Sequence, residues 1–121
     1  KAYCCFNSNT RDFARIGKFM LDSGKIDGVT IIDSAYFKQS ITPCGIEDAK
    51  GVKCDYYGYQ WWIPEDATEG EFMARGVYGQ CIYSNRPRGV VIATNAADRT
   101  FREEGVAEQN IATFRAIATK I

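Results

Sequence analysis

Between residues 71 and 93, three short stretches rich in β-favouring residues follow one another with almost no chain between them. Glu71 to Val77 and Gln80 to Ser84 are split by Tyr78-Gly79. Asn85-Arg86-Pro87-Arg88-Gly89 then makes a turn, and Val90-Val91-Ile92-Ala93 is a short, buried strand. A parallel crossover needs a dozen or more residues, so connections this short leave only an antiparallel meander. Upstream, Tyr57-Gly58-Tyr59-Gln60-Trp61-Trp62-Ile63 is dense in aromatics and ends at Pro64, which predicts a further strand before the acidic loop from Pro64 to Gly70.

Helices bracket these strands. From about Thr10 to Ser23, the residues Phe13, Ile16, Gly17, Met20 and Leu21 recur at helical spacing and form one apolar stripe. Asn9 or Thr10 can cap the start, Asp12 complements the dipole, and Gly24 suits a left-handed end. Arg11-Asp12 reads as a surface pair at the helix start. Asp27-Gly28 favours a tight turn next to the β-branched Val29 to Ile32. Asp33 or Ser34 opens a second helix that runs to about Ser40 and stops at Thr42-Pro43. Residues 44–55 read as a polar loop with two cysteines. A last helix spans about Val106 to Lys120, with Val106, Ile111, Phe114, Ile117, Ala118 and Ile121 on its apolar face and three glutamates near its N-terminal end. The fold class is therefore α+β, an antiparallel sheet of about three to five strands with the helices on one face. The helical part covers 1–55, the strands 56–97 and the C-terminal helix 105–121.

Of the 121 residues, 45% are hydrophobic and 25% charged, enough for a packed core. Fifteen basic residues balance fifteen acidic ones, which leaves no electrostatic footprint for nucleic acid or an anionic membrane surface. No apolar run approaches the roughly 18–20 residues of a membrane span. The opening Lys1-Ala2-Tyr3-Cys4-Cys5-Phe6 is too short and polar for a signal peptide, and it agrees with a chain that begins inside a longer protein. The five cysteines, Cys4, Cys5, Cys44, Cys54 and Cys81, are an odd number without a Cys-x-x-Cys, and there is no His. They read as buried free thiols rather than as metal ligands, so no metal or cofactor is expected. They lean towards a reducing compartment without deciding between bacterial cytoplasm and periplasm.

The absence of His removes any Ser-His-Asp or Cys-His arrangement from this chain. A Ser-Lys hydrolase needs Ser-x-x-Lys, which puts amine and hydroxyl on one helix face. Here Ser8, Ser23, Ser34, Ser40 and Ser84 are followed three residues later by Arg11, Ile26, Phe37, Pro43 and Pro87. The chain therefore carries no catalytic residue of its own.

Three motifs in order carry a resemblance. Phe6-Asn7-Ser8-Asn9-Thr10-Arg11-Asp12-Phe13-Ala14-Arg15-Ile16-Gly17 comes first, then Tyr59-Gln60-Trp61-Trp62. Phe72-Met73-Ala74-Arg75-Gly76-Val77-Tyr78-Gly79-Gln80 follows, continued by Ile82-Tyr83 and Pro87-Arg88-Gly89-Val90-Val91-Ile92. Together they resemble the C-terminal part of β-lactamase-related serine hydrolases, the penicillin-recognising superfamily, in its esterase and 6-aminohexanoate-dimer hydrolase branch. The resemblance implies a partial β-lactamase-like fold and one single segment, 1–121, of a larger domain. It also implies an upstream segment of the same protein that supplies Ser-x-x-Lys and Tyr-x-Asn. By the same resemblance Ala74-Arg75-Gly76 stands where the family carries Lys-Thr-Gly or His-x-Gly beside the substrate. Ala74 replaces the usual cation, and Arg75 on the next position points to the other face of the strand. This departure favours a small-molecule ester or amide over a β-lactam.

The candidate substrate-binding residues are thus Ala74, Arg75, Gly76, Tyr78 and Asn7, with Gln80 beside them. Gly76 would let substrate lie against the backbone, whose N–H and C=O pair with it. Each has a plainer reading: Arg75 as an exposed strand charge, Gly76 and Gly79 as a bulge or turn, and Asn7 as a turn or cap residue. Trp61 and Trp62 face opposite sides of a strand, so at least one is core. Alone, the chain would be inactive and would expose apolar surface where the missing segment docks, inviting a homodimer. Two other functions fit the same residues. One is a stand-alone binding module whose Tyr57, Tyr59, Trp61 and Trp62 contact a ligand; the other is one half of a split hydrolase.

Overall fold

A computed structural model gives the architecture and describes residues 6–121, so Cys4 and Cys5 lie outside the described residues. The order is α1 (Thr10–Leu21), β1 (Lys25–Ile26), β2 (Val29–Thr30), α2 (Ser34–Ser40), β3 (Glu71–Arg75), a 3-10 turn (Val77–Gly79), β4 (Cys81–Asn85), β5 (Val90–Thr94) and α3 (Val106–Ala118). The fold is α+β, and β3, β4 and β5 form the antiparallel meander in the order β3-β4-β5. Met73 pairs with Tyr83, and Tyr83 with Ile92.

Local chemistry explains the element ends. Asn9 accepts the Asp12 N–H at 2.9 Å and caps α1, while Asp33 accepts the N–H groups of Ala35 and Tyr36 and caps α2. Asp12 pairs with Arg15, one helical turn on, rather than with its neighbour Arg11. After α1 the chain turns left-handed at Ser23 and Gly24, and Asp27-Gly28, both at positive φ, close the small β1–β2 hairpin.

Three expectations are corrected. The helices do not share one face of the sheet. Side chains alternate along each strand, so the sheet presents two apolar surfaces. Phe72 packs with Met20 and Phe37 on the α1–α2 side, whereas Met73, Cys81, Tyr83 and Val90 pack with Phe114 and Ala118 of α3 on the other. Residues 57–63 do not form an extended strand either. Gln60 adopts φ 66, and the Gly58 N–H donates to the Trp61 carbonyl at 2.8 Å, so the segment folds back on itself. Gly58 is required there because a Cβ would collide with the carbonyl of Ser40. What survives of the strand is an isolated bridge of Tyr57 to Trp62 and one of Trp62 to Met73. Lastly, of the described thiols only Cys81 is buried; Cys44 is exposed and Cys54 half-buried.

Gly17 sets the depth of α1 on the sheet. A Cβ there would lie 2.5 Å from Val91 Cγ1 and 2.8 Å from Ile82 Cγ2, so only glycine lets the helix sit this close. Among the described residues, no helix is long and apolar enough to cross a membrane.

Candidate functional site

The candidate site forms where β3 ends. Trp62 is bonded to Met73 in both directions, by N–H to carbonyl contacts of 2.7 and 2.9 Å, and so covers the outer edge of β3 at that point. Hydrogen-bonding direction alternates along an antiparallel strand. The backbone groups of Arg75 therefore point to the same outer side as those of Met73, beyond the reach of Trp62. Gly76 points inward, and its N–H donates to the Gln80 carbonyl at 2.8 Å. The backbone available to a ligand is thus that of Arg75, not the Gly76 N–H.

The Arg75 guanidinium lies 5.4 Å from the centroid of Trp62. Trp62 is itself held by Tyr56, stacked at 5.9 Å, and by Tyr57, edge-on at 4.8 Å. A cation over an indole face is attracted to the ring quadrupole, so the aromatic cluster fixes the direction of the charge. Trp61, one residue earlier, packs edge-on against Phe72 in the opposite core. The two tryptophans do face opposite sides.

Between this edge and the start of α3 runs an open groove of about 900 Å³, lined by Trp62, Arg75, Gly76, Val77, Phe101, Arg102, Glu103, Glu104 and Glu108 among others. A small cavity of about 50 Å³ lies behind it, between the sheet and α3, against Arg75, Gly76, Gly79 and Gln80. Loop 98–105 forms the far wall. Asp98 holds its start by accepting the Thr100 N–H at 2.8 Å and the Thr100 hydroxyl at 2.6 Å, and these bonds keep the Asp98 carboxyl below its usual range. The Asp98 N–H donates in turn to the Tyr78 carbonyl at 3.1 Å, which ties the loop to the β3–β4 turn.

The predicted residues divide accordingly. Arg75 and Gly76 line the groove. Gln80 lines the cavity behind it. Tyr78, 49% exposed, stands edge-on to Phe101 at 5.2 Å with a left-handed φ of 60, a conformation that is rare for a bulky residue. Ala74 pairs with Ile82, points to the α1 side and lines neither space. Asn7 is exposed ahead of α1 and lines neither.

Sequence reasoning missed a polar tie at the other end of β3. Glu71, only 3% exposed, accepts from Arg115 Nε at 2.7 Å, from Arg115 Nη2 at 3.1 Å and from the Tyr83 hydroxyl at 2.8 Å. Asn85 donates to the same hydroxyl at 3.1 Å. The carboxylate holds the Arg115 guanidinium above its usual pKa, and burial chiefly pushes the Tyr83 phenol up to about 12. The one signal available was a charged residue opening a strand whose next three residues, Phe72, Met73 and Ala74, are apolar.

The fold places the chain in a class: it has the architecture of part of a β-lactamase-like domain. No protein-family profile matches it, and no curated protein sequence does. Among solved structures it superposes on "Putative 6-aminohexanoate-dimer hydrolase from Bacillus anthracis" with a TM-score of 0.72 and 26% sequence identity. That match covers 93% of this chain and 29% of the other, so the chain is similar to part of a hydrolase and spans less than a third of its length.

Proposed function

We propose that residues 1–121 are one C-terminal segment of a β-lactamase-related serine hydrolase and that they build the substrate-binding wall of its active site. The observation that carries this reading is the superposition on part of a hydrolase at 26% identity, with Ala74-Arg75-Gly76 ending an open strand edge beside a groove. The nucleophile and its lysine come from a Ser-x-x-Lys helix outside these residues, and a Tyr-x-Asn turn assists proton transfer. The serine attacks an ester or amide carbonyl, the alcohol or amine leaves, and water releases the acid from the acyl-enzyme. This chain's part is to bind. The open Arg75 backbone pairs with the substrate as an added strand, and the guanidinium on Trp62 contacts its polar end.

In the intact protein, Arg75→Ala is expected to lower kcat/KM on a p-nitrophenyl ester roughly ten-fold, equivalent to about 1.4 kcal/mol, while Arg75→Lys retains part of it. An unchanged kcat/KM in the alanine variant removes Arg75 from the site. If the intact protein has no Ser-x-x-Lys serine whose loss abolishes activity, the hydrolase reading falls as a whole.

The aromatic binding-module reading has less support. Trp61 packs on Phe72 and Tyr57 on Trp62, which leaves Tyr59 as the exposed ring among its four residues. A split hydrolase remains the variant in which the Ser-x-x-Lys helix arrives on another chain, and co-purification with such a chain distinguishes it.

A further inference from the structure

The loop between α2 and β3 holds two thiols that the proposed hydrolase chemistry does not use. Residues 44–57 double back as an irregular hairpin. Glu47 pairs with Lys53, the Asp48 N–H donates to the Val52 carbonyl at 2.9 Å, and the Cys54 N–H donates to the Ile46 carbonyl at 2.9 Å. The Gly45 N–H donates to the carbonyl of Cys54 itself at 3.0 Å. The amide that follows Cys44 is therefore bonded to the peptide unit of Cys54. That 3.0 Å bond keeps the backbones of Cys44 and Cys54 adjacent across the hairpin, within reach of the Cα separation of about 4.4–6.8 Å that disulfides span. Burial, and next the neighbouring Cys44 thiol, hold the Cys54 thiol above its ordinary pKa. Cys44 is exposed to reagents, whereas Cys81 is sealed between the sheet and α3.

We infer that Cys44 and Cys54 are a reversible disulfide site that closes loop 44–54 and acts as a clasp next to the candidate site. The oxidant is a small external disulfide of the glutathione class. The Cys44 thiolate attacks it and releases one thiol, leaving a mixed disulfide. Cys54 then attacks the Cys44 sulfur and releases the second thiol. The reagent's S–S bond breaks, the protein's forms, and the two protein thiol protons end on the two released thiols. The clasp bears on the groove through the chain itself. The Cys44 N–H donates to the Tyr57 carbonyl at 2.8 Å, and Tyr57 braces the Trp62 ring that carries Arg75.

The test is to incubate the intact folded protein with oxidised glutathione, alkylate the remaining thiols and map the unreduced digest by mass. The expected result is one linked species joining the Cys44 and Cys54 peptides, lighter by two hydrogens, with Cys81 unmodified and both thiols recovered on reduction. In the Cys54→Ser variant, Cys44 should instead retain a glutathione adduct. The inference is overturned if both thiols are alkylated, if each carries its own glutathione, or if Cys44 links to Cys4, Cys5 or a second chain.

Discussion

Glu71 is the side chain whose surroundings most restrict substitution. A carboxylate this deep is stable because Arg115 grips both oxygens, Tyr83 donates to one of them and the Thr68 N–H donates to the other at 3.3 Å. Arg115→Met leaves that charge buried without its counter-ion and is expected to cost about 3 kcal/mol, at the low end because the guanidinium is partly in water. Urea unfolding measures it, and the double variant with Glu71→Gln should recover part of the loss. A cost under about 1 kcal/mol in the single variant would show that the tie is not structural. A second consequence concerns alkali. Burial raises the Cys81 thiol from 9.0 and the Tyr83 phenol from 10.0, each to about 12. The folded chain therefore keeps protons that the unfolded chain releases, so stability is full below pH 9 and falls as pH rises from 9 towards 12. Thermal melts across that range check the slope, and Cys81→Ala should reduce it.

At the level of elements, α1 approaches the sheet closely at Gly17. In an open helix, glycine to alanine gains up to about 1 kcal/mol. Here the added methyl meets stiff, β-branched Val91 and Ile82, so Gly17→Ala is expected to lose about 1–3 kcal/mol instead. A variant as stable as the parent would mean that α1 can lift off the sheet freely. Arg86, in the β4–β5 turn, reinforces the same contact: it donates to the Ser23 hydroxyl at 2.6 Å and to the Leu21 carbonyl at 3.4 Å, satisfying the C-terminal end of α1. Its guanidinium also lies 5.1 Å from the Phe37 ring, which draws α2 into the same corner.

For the molecule as a whole, the telling feature is the apolar surface left in water. Ile26, Val29 and Ile31 around the small hairpin are exposed, as are Tyr36, Tyr56, Tyr59, Val77 and Tyr78. Single exposed apolar residues are ordinary, but this many on one small chain fit the proposal that further protein covers them. Residues 1–121 expressed alone should self-associate in light scattering and bind a hydrophobic dye, and the longer polypeptide with its upstream segment should do neither. A monomeric, dye-silent 121-residue chain would count against the segment reading and in favour of the stand-alone module.

The sequence by itself determined the helices and the meander, and it narrowed the caps of α1 and α2 to two residues each. α1, α2 and α3 begin where an Asn, an Asp or a left-handed Gly precedes an amphipathic run, and β3 to β5 lie between turns too short for a crossover. These features depend on neighbours a few residues apart, and that is the range over which periodicity and turn chemistry act. Of the candidate residues read from the sequence, Arg75 and Gly76 line the groove. Only the tertiary structure decided the rest. Residues 57–63 gave up their strand pattern because Gly58 had to pass against the Ser40 carbonyl and Trp62 had to reach Met73. The helices divided between two faces because the alternating side chains of β3 and β4 are apolar on both. Glu71 found Arg115 forty-four residues away, and Asn7 and Ala74 lay outside the groove. Each of these outcomes depends on which distant surfaces meet, and local residue preferences do not encode that choice.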